Sequence, residues 1–227
     1  MLNLIINADD FGYSKEINNA IELCFERGII NSATLMANMP GSIDAIERVR
    51  LSNFSVGIHL NLIEGLPICS DLLNDPLLSN DGLLQFNIPR MSVFLKKNTR
   101  ELIKKELEAQ ILFLKNNGIA ITHIDSHQHT HTIFPIALIV FYLAKKYDLK
   151  VRIPRTTGNK NPIKVLYKKL LMNYMRLIDI NLTEKFINYD EYNDNNNLNH
   201  SLEVMVHPEI KGDKIICNTT GLIITRI

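Results

Sequence analysis

Val56-Gly57-Ile58-His59-Leu60-Asn61-Leu62 is the stretch on which the fold turns. In a strand, successive side chains point to opposite faces, so Val56, Ile58, Leu60 and Leu62 share one face and Gly57, His59 and Asn61 the other. The aliphatic face asks to be covered by helices. The second face, small and polar, must then line an interior. A strand that is apolar outward and polar inward suits a barrel whose mouth carries chemistry.

The neighbouring segments keep this rhythm. Leu2 to Ala8 is a β-rich run that ends at the turn signal Asp9-Asp10-Phe11-Gly12, and Asn3, Ile5, Asn7 and Asp9 share one of its faces. Ser14 is placed to cap a helix whose apolar residues Ile17, Ala20, Ile21, Cys24 and Phe25 follow helical spacing, with Gly28 as its stop. Ser32 to Ala37 reads as a strand, Ile43 to Leu51 as a short helix and Thr99 to Asn117 as a long one. A strand over Ile119 to Ile124, a helix over Pro135 to Tyr147, a strand over Val151 to Ile153, a helix over Pro162 to Ile178 and a strand over Leu202 to Val206 follow. Such alternation predicts a parallel sheet with right-handed crossovers. At 227 residues a TIM-barrel-like closure in one domain, 1–227, is favoured over an open doubly wound sheet. The chain has neither a G-x-G-x-x-G nor a P-loop motif to argue for a nucleotide fold. An irregular insertion at 64–90, with Pro67, Pro76 and Pro89, breaks the rhythm, and the Asn- and Asp-rich span 181–199 reads as a mobile loop.

Composition sets the outer limits. With 25 Lys+Arg against 24 Asp+Glu the formal charge is +1, which argues against nucleic acid as a partner. Three cysteines without C-x-x-C spacing fit a reducing compartment, and Cys24 reads as core filling. The start, MLNLIINADD, lacks the features of a signal peptide, and no run approaches a membrane span. A cytoplasmic protein with no membrane partner is expected.

Chemistry concentrates at the strand ends. Four histidines, His123, His127, His129 and His131, fall in THIDSHQHTH, between a β-branched strand and a helix. Asp9-Asp10 closes the first strand, His59 the third, and His207 the last; Arg152 sits between Val151 and Ile153. A catalytic zinc site takes three N or O ligands and leaves one place for water. One carboxylate of the Asp pair, His59 and one histidine of the cluster satisfy that count. The other aspartate is then free to take a proton from water, and Asp125 could orient an imidazole. His207 is a candidate general acid. Each signal alone has a plainer explanation: an Asx cap for Asp9-Asp10, a hydrogen-bonded core histidine for His59, a metal-scavenging tract for the cluster. Their coincidence at one barrel rim outweighs those separate explanations.

The pieces NADDFGYS (7–14), GIHLNL (57–62), THIDSHQHTH (122–131), RIP (152–154) and VMVHPE (204–209) together resemble the YdjC-like carbohydrate deacetylase family of chitooligosaccharide deacetylases. The resemblance implies a distorted (β/α) barrel related in architecture to polysaccharide deacetylases. It implies a hydrolase that removes the N-acetyl group from short amino-sugar oligosaccharides such as chitobiose or chitotriose. By the same carry-over Asp10, His59 and His127 hold one divalent cation, Mg2+ or Zn2+. Asp9 is the general base, His207 the general acid, and Asp125, Arg152 and Asn61 support the site. His123 is read as structural. A homodimer is implied by the resemblance alone. The tail after His207-Pro208 matches no typical family ending. Two alternatives remain at this stage: cleavage of another amide or a phosphoester on the same scaffold, and a sugar-binding module without chemistry.

Overall fold

A computed structural model describes residues 4–158, 161–192 and 200–225. Leu2 and Asn3 of the first predicted strand and residues 193–199 of the Asn- and Asp-rich span lie outside the described residues.

The alternation materialises as strands β1 (Leu4–Phe11), β2 (Ser32–Leu35) and β3 (Val56–Leu60), separated by helices α1 (Lys15–Glu26) and α2 (Ser42–Arg50). A short hairpin, β4 (Ser79–Asn80) and β5 (Leu83–Leu84), lies in the insertion. Then come α3 (Lys97–Asn116), β6 (His123–Ser126), α4 (Phe134–Tyr147), β7 (Lys150–Val151), α5 (Pro162–Leu177), β8 (Lys185–Asn188) and β9 (Leu202–Val206). A final hairpin, β10 (Pro208–Lys211) and β11 (Lys214–Cys217), follows the last barrel strand.

The main sheet has the order β7-β6-β3-β2-β1-β9-β8, with every pairing parallel. It curls until its edges meet. The chain just before β8 bridges β7 through Val151 and Asn181, with Val151 N donating to Ile180 O at 2.6 Å and Leu182 N to Val151 O at 2.9 Å. One segment therefore touches both edges, beside β7 at its start and beside β9 over 185–188. The distorted (β/α) barrel expected from the sequence is the architecture found.

Helices cover the outer face as the alternation demands. Val56, Ile58 and Leu60 are fully buried there, with Ile103, Leu107, Ile111 and Leu114 of α3 in the same core. Each such buried aliphatic contributes about 1.5–3 kcal/mol. Ser14 caps α1, its Oγ accepting from Ile17 N at 3.3 Å, as its position ahead of the apolar periodicity predicts. Gly57 is required by close approach, because a Cβ there would lie 2.6 Å from Cε1 and 2.7 Å from Nδ1 of His123 on the neighbouring strand.

One reading of the sequence needs correction. The span 181–199 is not a single loop: Phe186 and Ile187 are buried beside β9, and that burial outweighs the polar composition around them. The tail after His207-Pro208 forms a hairpin that packs against α1 and returns the chain to the barrel mouth. Among the described residues, no helix is long and apolar enough to cross a membrane.

Candidate active site

The site forms at the C-terminal ends of the barrel strands, where this architecture places its functional groups. The first device is a break in β1. The pairing register between β1 and β2 shifts between Ala8 and Phe11, and Asp10 sits in the left-handed region at φ 66. In a regular strand two successive carboxylates would face opposite sides. The bulge brings both to the same mouth, with Asp9 Oδ2 4.0 Å and Asp10 Oδ2 3.9 Å from Nε2 of His207. Such a backbone costs of order 1–3 kcal/mol, and it is tied in place by Asn18 of α1. Asn18 Oδ1 accepts from Gly12 N at 2.7 Å, and Asn18 Nδ2 donates to Gly41 O at 2.9 Å.

Asp10 Oδ1 then lies 3.2 Å from His59 Nε2 and 3.0 Å from His127 Nδ1. Each of these three residues offers a donor atom within 4.8 Å of the others. The far side of each imidazole is held. His59 Nδ1 meets Asp125 Oδ1 at 2.7 Å, and His127 Nε2 meets Glu64 Oε1 at 3.0 Å. Carboxylates that take those protons leave the facing nitrogens, His59 Nε2 and His127 Nδ1, aimed at Asp10. That is the arrangement of an imidazole oriented for a cation. Burial pushes the Asp10 carboxyl up, but the two imidazoles outweigh it and hold the group well below the usual carboxylate range. Burial likewise opposes charge on His59, yet Asp125 and Asp10 raise its pKa well above the ordinary histidine value. One carboxylate with two imidazoles within 4.8 Å of one another is a donor set compatible with a divalent cation such as Zn2+.

A second grouping, Asp9, His59 and Asp125, also has donor atoms within 4.8 Å. Arg152 already fills it. Its Nη1 lies 2.7 Å from both Asp9 Oδ2 and Asp125 Oδ2, its Nη2 2.7 Å from Asp9 Oδ1, and its Nε 2.7 Å from Glu203 Oε1. The guanidinium is wholly buried, with Phe186 beneath it at 4.7 Å. Burial raises the Asp9 pKa, and the Arg152 charge overcomes that to leave it lowered. Glu203 profits less: burial dominates and pushes its carboxyl up to about 7.

His207 closes the far side. Burial disfavours its charge, but Cys217, Asp9 and Asp10 together raise its pKa. Thr219 Oγ1 approaches its Nδ1 at 3.4 Å. The cavity these groups line, about 330 Å³, also takes in Gln128, His129, Asn218 and Thr219.

The structure thus brings together Asp9, Asp10, His59, His127, Asp125, Arg152 and His207. Asn61 does not face the cluster as the alternation suggested. Its Oδ1 accepts from Ile63 N and its Nδ2 donates to Glu64 O, so it shapes the turn that delivers Glu64. Of the remaining histidines, His129 lines the cavity, while His123 and His131 are buried away from it, His131 Nδ1 against Ser126 Oγ at 2.7 Å. Glu64 and Thr34 escaped the sequence reading. Glu64 opens the irregular insertion, where no periodicity marks a direction. Thr34, whose Oγ1 donates to Asp125 Oδ2 at 2.9 Å, had a signal in its place opposite Ala33 and Leu35 in β2.

These features define a parallel (β/α) barrel with an Asp-His-His cluster at the C-terminal rim of its strands. The chain belongs to the YdjC-like protein family, whose model matches residues 3–221. It is similar to proteins named carbohydrate deacetylase from Halalkalibacterium halodurans (38% identical over 71% of this chain and 66% of that protein). Similar proteins of the same name occur in Brevibacillus brevis (40%, over 70% and 62%) and Clostridium beijerinckii (31%, over 96% and 86%). The matches to the first two span less than two thirds of those relatives. A crystal structure from Enterococcus faecalis V583, described as a cellobiose-phosphate cleavage protein, superposes with a TM-score of 0.70 at 25% identity. It covers 92% of this chain and 81% of that one.

Proposed function

We propose that this protein is a metal-dependent hydrolase that removes the N-acetyl group from short amino-sugar oligosaccharides of the chitobiose or chitotriose kind, releasing acetate and a free amine. The observation that carries the reading is the convergence of Asp10, His59 and His127 on one point, with Asp9 and His207 beside it. The name its relatives carry, carbohydrate deacetylase, supports a carbohydrate substrate and the deacetylation.

A divalent cation, Zn2+ or Mg2+, held by Asp10, His59 and His127 would lower the pKa of a bound water to about 7 and polarise the amide carbonyl. Asp9 accepts the proton of the attacking water. Arg152 keeps that carboxylate ionised and fixes its direction. His207 carries the opposite assignment: Cys217, Asp9 and Asp10 raise its pKa, which favours the protonated imidazole as the donor of a proton to the departing amine nitrogen. Two titratable groups whose surroundings pull them apart, a carboxylate with its pKa lowered and an imidazole with its pKa raised, make a base and acid pair. The C–N bond breaks as that proton arrives, and the acetyl carbon leaves with the water oxygen as acetate.

The proposal includes a homodimer in a reducing, cytoplasmic setting. Exposed Leu138 and Tyr142 of α4 and Leu166, Leu170 and Tyr174 of α5 give an apolar face consistent with self-association. Cys24, Cys69 and Cys217 are free thiols.

Mass spectrometry of N-acetylglucosamine oligomers after incubation with metal-loaded protein tests the reaction, with loss of one acetyl group expected. Intact oligomers at high enzyme concentration would refute it. Light scattering tests the dimer, which a monomeric mass would exclude.

A further inference from the structure

A second cavity, about 530 Å³, adjoins the site and belongs to none of the groups described so far. Its lining comes from the insertion, chiefly Gln85, Phe86, Asn87 and Arg90, together with Ile63 and Gln128. Gln128 borders both cavities. It follows His127 directly, and Ile63 directly precedes Glu64, so the second cavity is tied by single peptide bonds to two residues of the cluster.

The wall of this cavity is held rigidly. Leu84 and Ile88 are buried and anchor the strip from below, while Gln85 and Asn87 alternate outward. The backbone is fixed where Gln85 N donates to Leu78 O and Asn87 N to Leu77 O, each at 2.9 Å. Arg90 spans the opening to the first cavity. Its Nη1 donates to Gln128 O at 2.6 Å and its Nη2 to Gln128 Oε1 at 2.8 Å, and its guanidinium lies 5.6 Å from the Phe86 ring centre. Gln128 itself holds a left-handed backbone, φ 50, that turns it toward Arg90. No carboxylate pairs with Arg90 among the described residues.

The chemistry differs from that of the Asp-His-His cluster. Three side-chain amides, each both donor and acceptor, and one guanidinium stand around the apolar surfaces of Ile63, Phe86 and Pro89. No carboxylate lines the cavity. A pyranose ring presents the complement, hydroxyls at its edge and C–H faces above and below. We propose that the cavity between residues 85–90 and Gln128 is a second sugar subsite, which takes the pyranose joined glycosidically to the residue being deacetylated. The inference rests on the deacetylase reading of the neighbouring site and locates the preference for an oligosaccharide over a single sugar in the insertion.

The test compares initial rates of acetate release from N-acetylglucosamine and its β-1,4-linked dimer, in wild type, Arg90→Ala and Gln85→Ala. Both side chains are exposed, so the variants should fold. Wild type should favour the dimer in kcat/KM by about tenfold or more. Each substitution should erase about two- to tenfold of that preference through KM, the effect of one or two lost hydrogen bonds. Equal kcat/KM for monomer and dimer in wild type, or an equal loss on both substrates in the variants, would overturn the subsite. Should no sugar release acetate, the deacetylase reading fails, and calorimetric titration with the fully deacetylated dimer decides the subsite alone. Weaker binding in Arg90→Ala supports it; unchanged or absent binding in both proteins refutes it.

Discussion

Arg152 grips Asp9 with both terminal nitrogens, Nη1 on Oδ2 and Nη2 on Oδ1, each at 2.7 Å and out of contact with solvent. The same guanidinium reaches Asp125, which bonds His59, and Glu203 at the back of the barrel. One buried cation thereby orients the proposed base and, through one intermediary, a proposed metal ligand. Breaking a buried pair leaves its partners uncompensated at about 3–5 kcal/mol. Arg152→Lys cannot reproduce the two-point grip. It should lower kcat at least about 100-fold, as expected when a catalytic group loses its alignment, and reduce stability in urea. Unchanged kcat would remove Arg152 from the positioning of Asp9.

Asp9 and Asp10 should separate cleanly despite their adjacency. Asp9→Asn should retain the cation and lose acetate release, because its place is beside Arg152 rather than between the imidazoles. Asp10→Asn should lose the cation itself. Elemental analysis of the two variants checks this, and equal metal content in both would defeat the assignment.

Glu64 holds the outer nitrogen of His127 at 3.0 Å and accepts from Tyr13 Oη at 3.1 Å. Replacing such an orienting partner typically weakens metal affinity about 10–100-fold. Glu64→Leu should therefore yield its cation to a chelator at correspondingly lower concentration. A wild-type chelator titration would show that His127 needs no such support.

Burial lowers the pKa of His123 and of His131 to about 4 each, from an ordinary 6.5. Both must be neutral in the folded state, whereas the unfolded chain takes up protons below 6.5. Their contribution is complete above pH 6.5 and is lost as pH falls toward 4. Urea midpoints of the metal-loaded protein should drop from pH 7 to pH 5. His131→Asn should flatten that slope, and an unaltered slope would exclude His131 as a source.

Gly57→Ala introduces a Cβ 2.6–2.7 Å from the His123 ring and 2.7 Å from its carbonyl oxygen. Overpacking of this kind costs about 1–3 kcal/mol. A fall in Tm is expected, and an unchanged Tm would mean that β3 and β6 can part without penalty.

Among the described residues, most barrel strands and all five α-helices could be read from the sequence, because apolar periodicity reports which face an element buries. Val56 to Leu62 and the α3 residues Ile103, Leu107 and Ile111 are direct instances. β8 was hidden because its two buried residues, Phe186 and Ile187, sit within an Asn- and Asp-rich span. Asp9, Asp10, His59, His127 and His207 could be named because metal-ligand residue types at strand ends are conspicuous. Glu64 could not: nothing local distinguishes it from other exposed acids.

The sequence by itself determined the period of the helices, the inward face of the strands it revealed and the residue types available at the rim, since these follow from local stereochemistry and hydrophobicity. Only the tertiary structure decided that Asp9 belongs to Arg152 and Asp10 to the imidazoles. That partition depends on a strand bulge, a left-handed residue and a guanidinium arriving from 143 positions away. Electrostatic pairing acts through distance in space, and no local pattern in a chain encodes which distant charge will arrive.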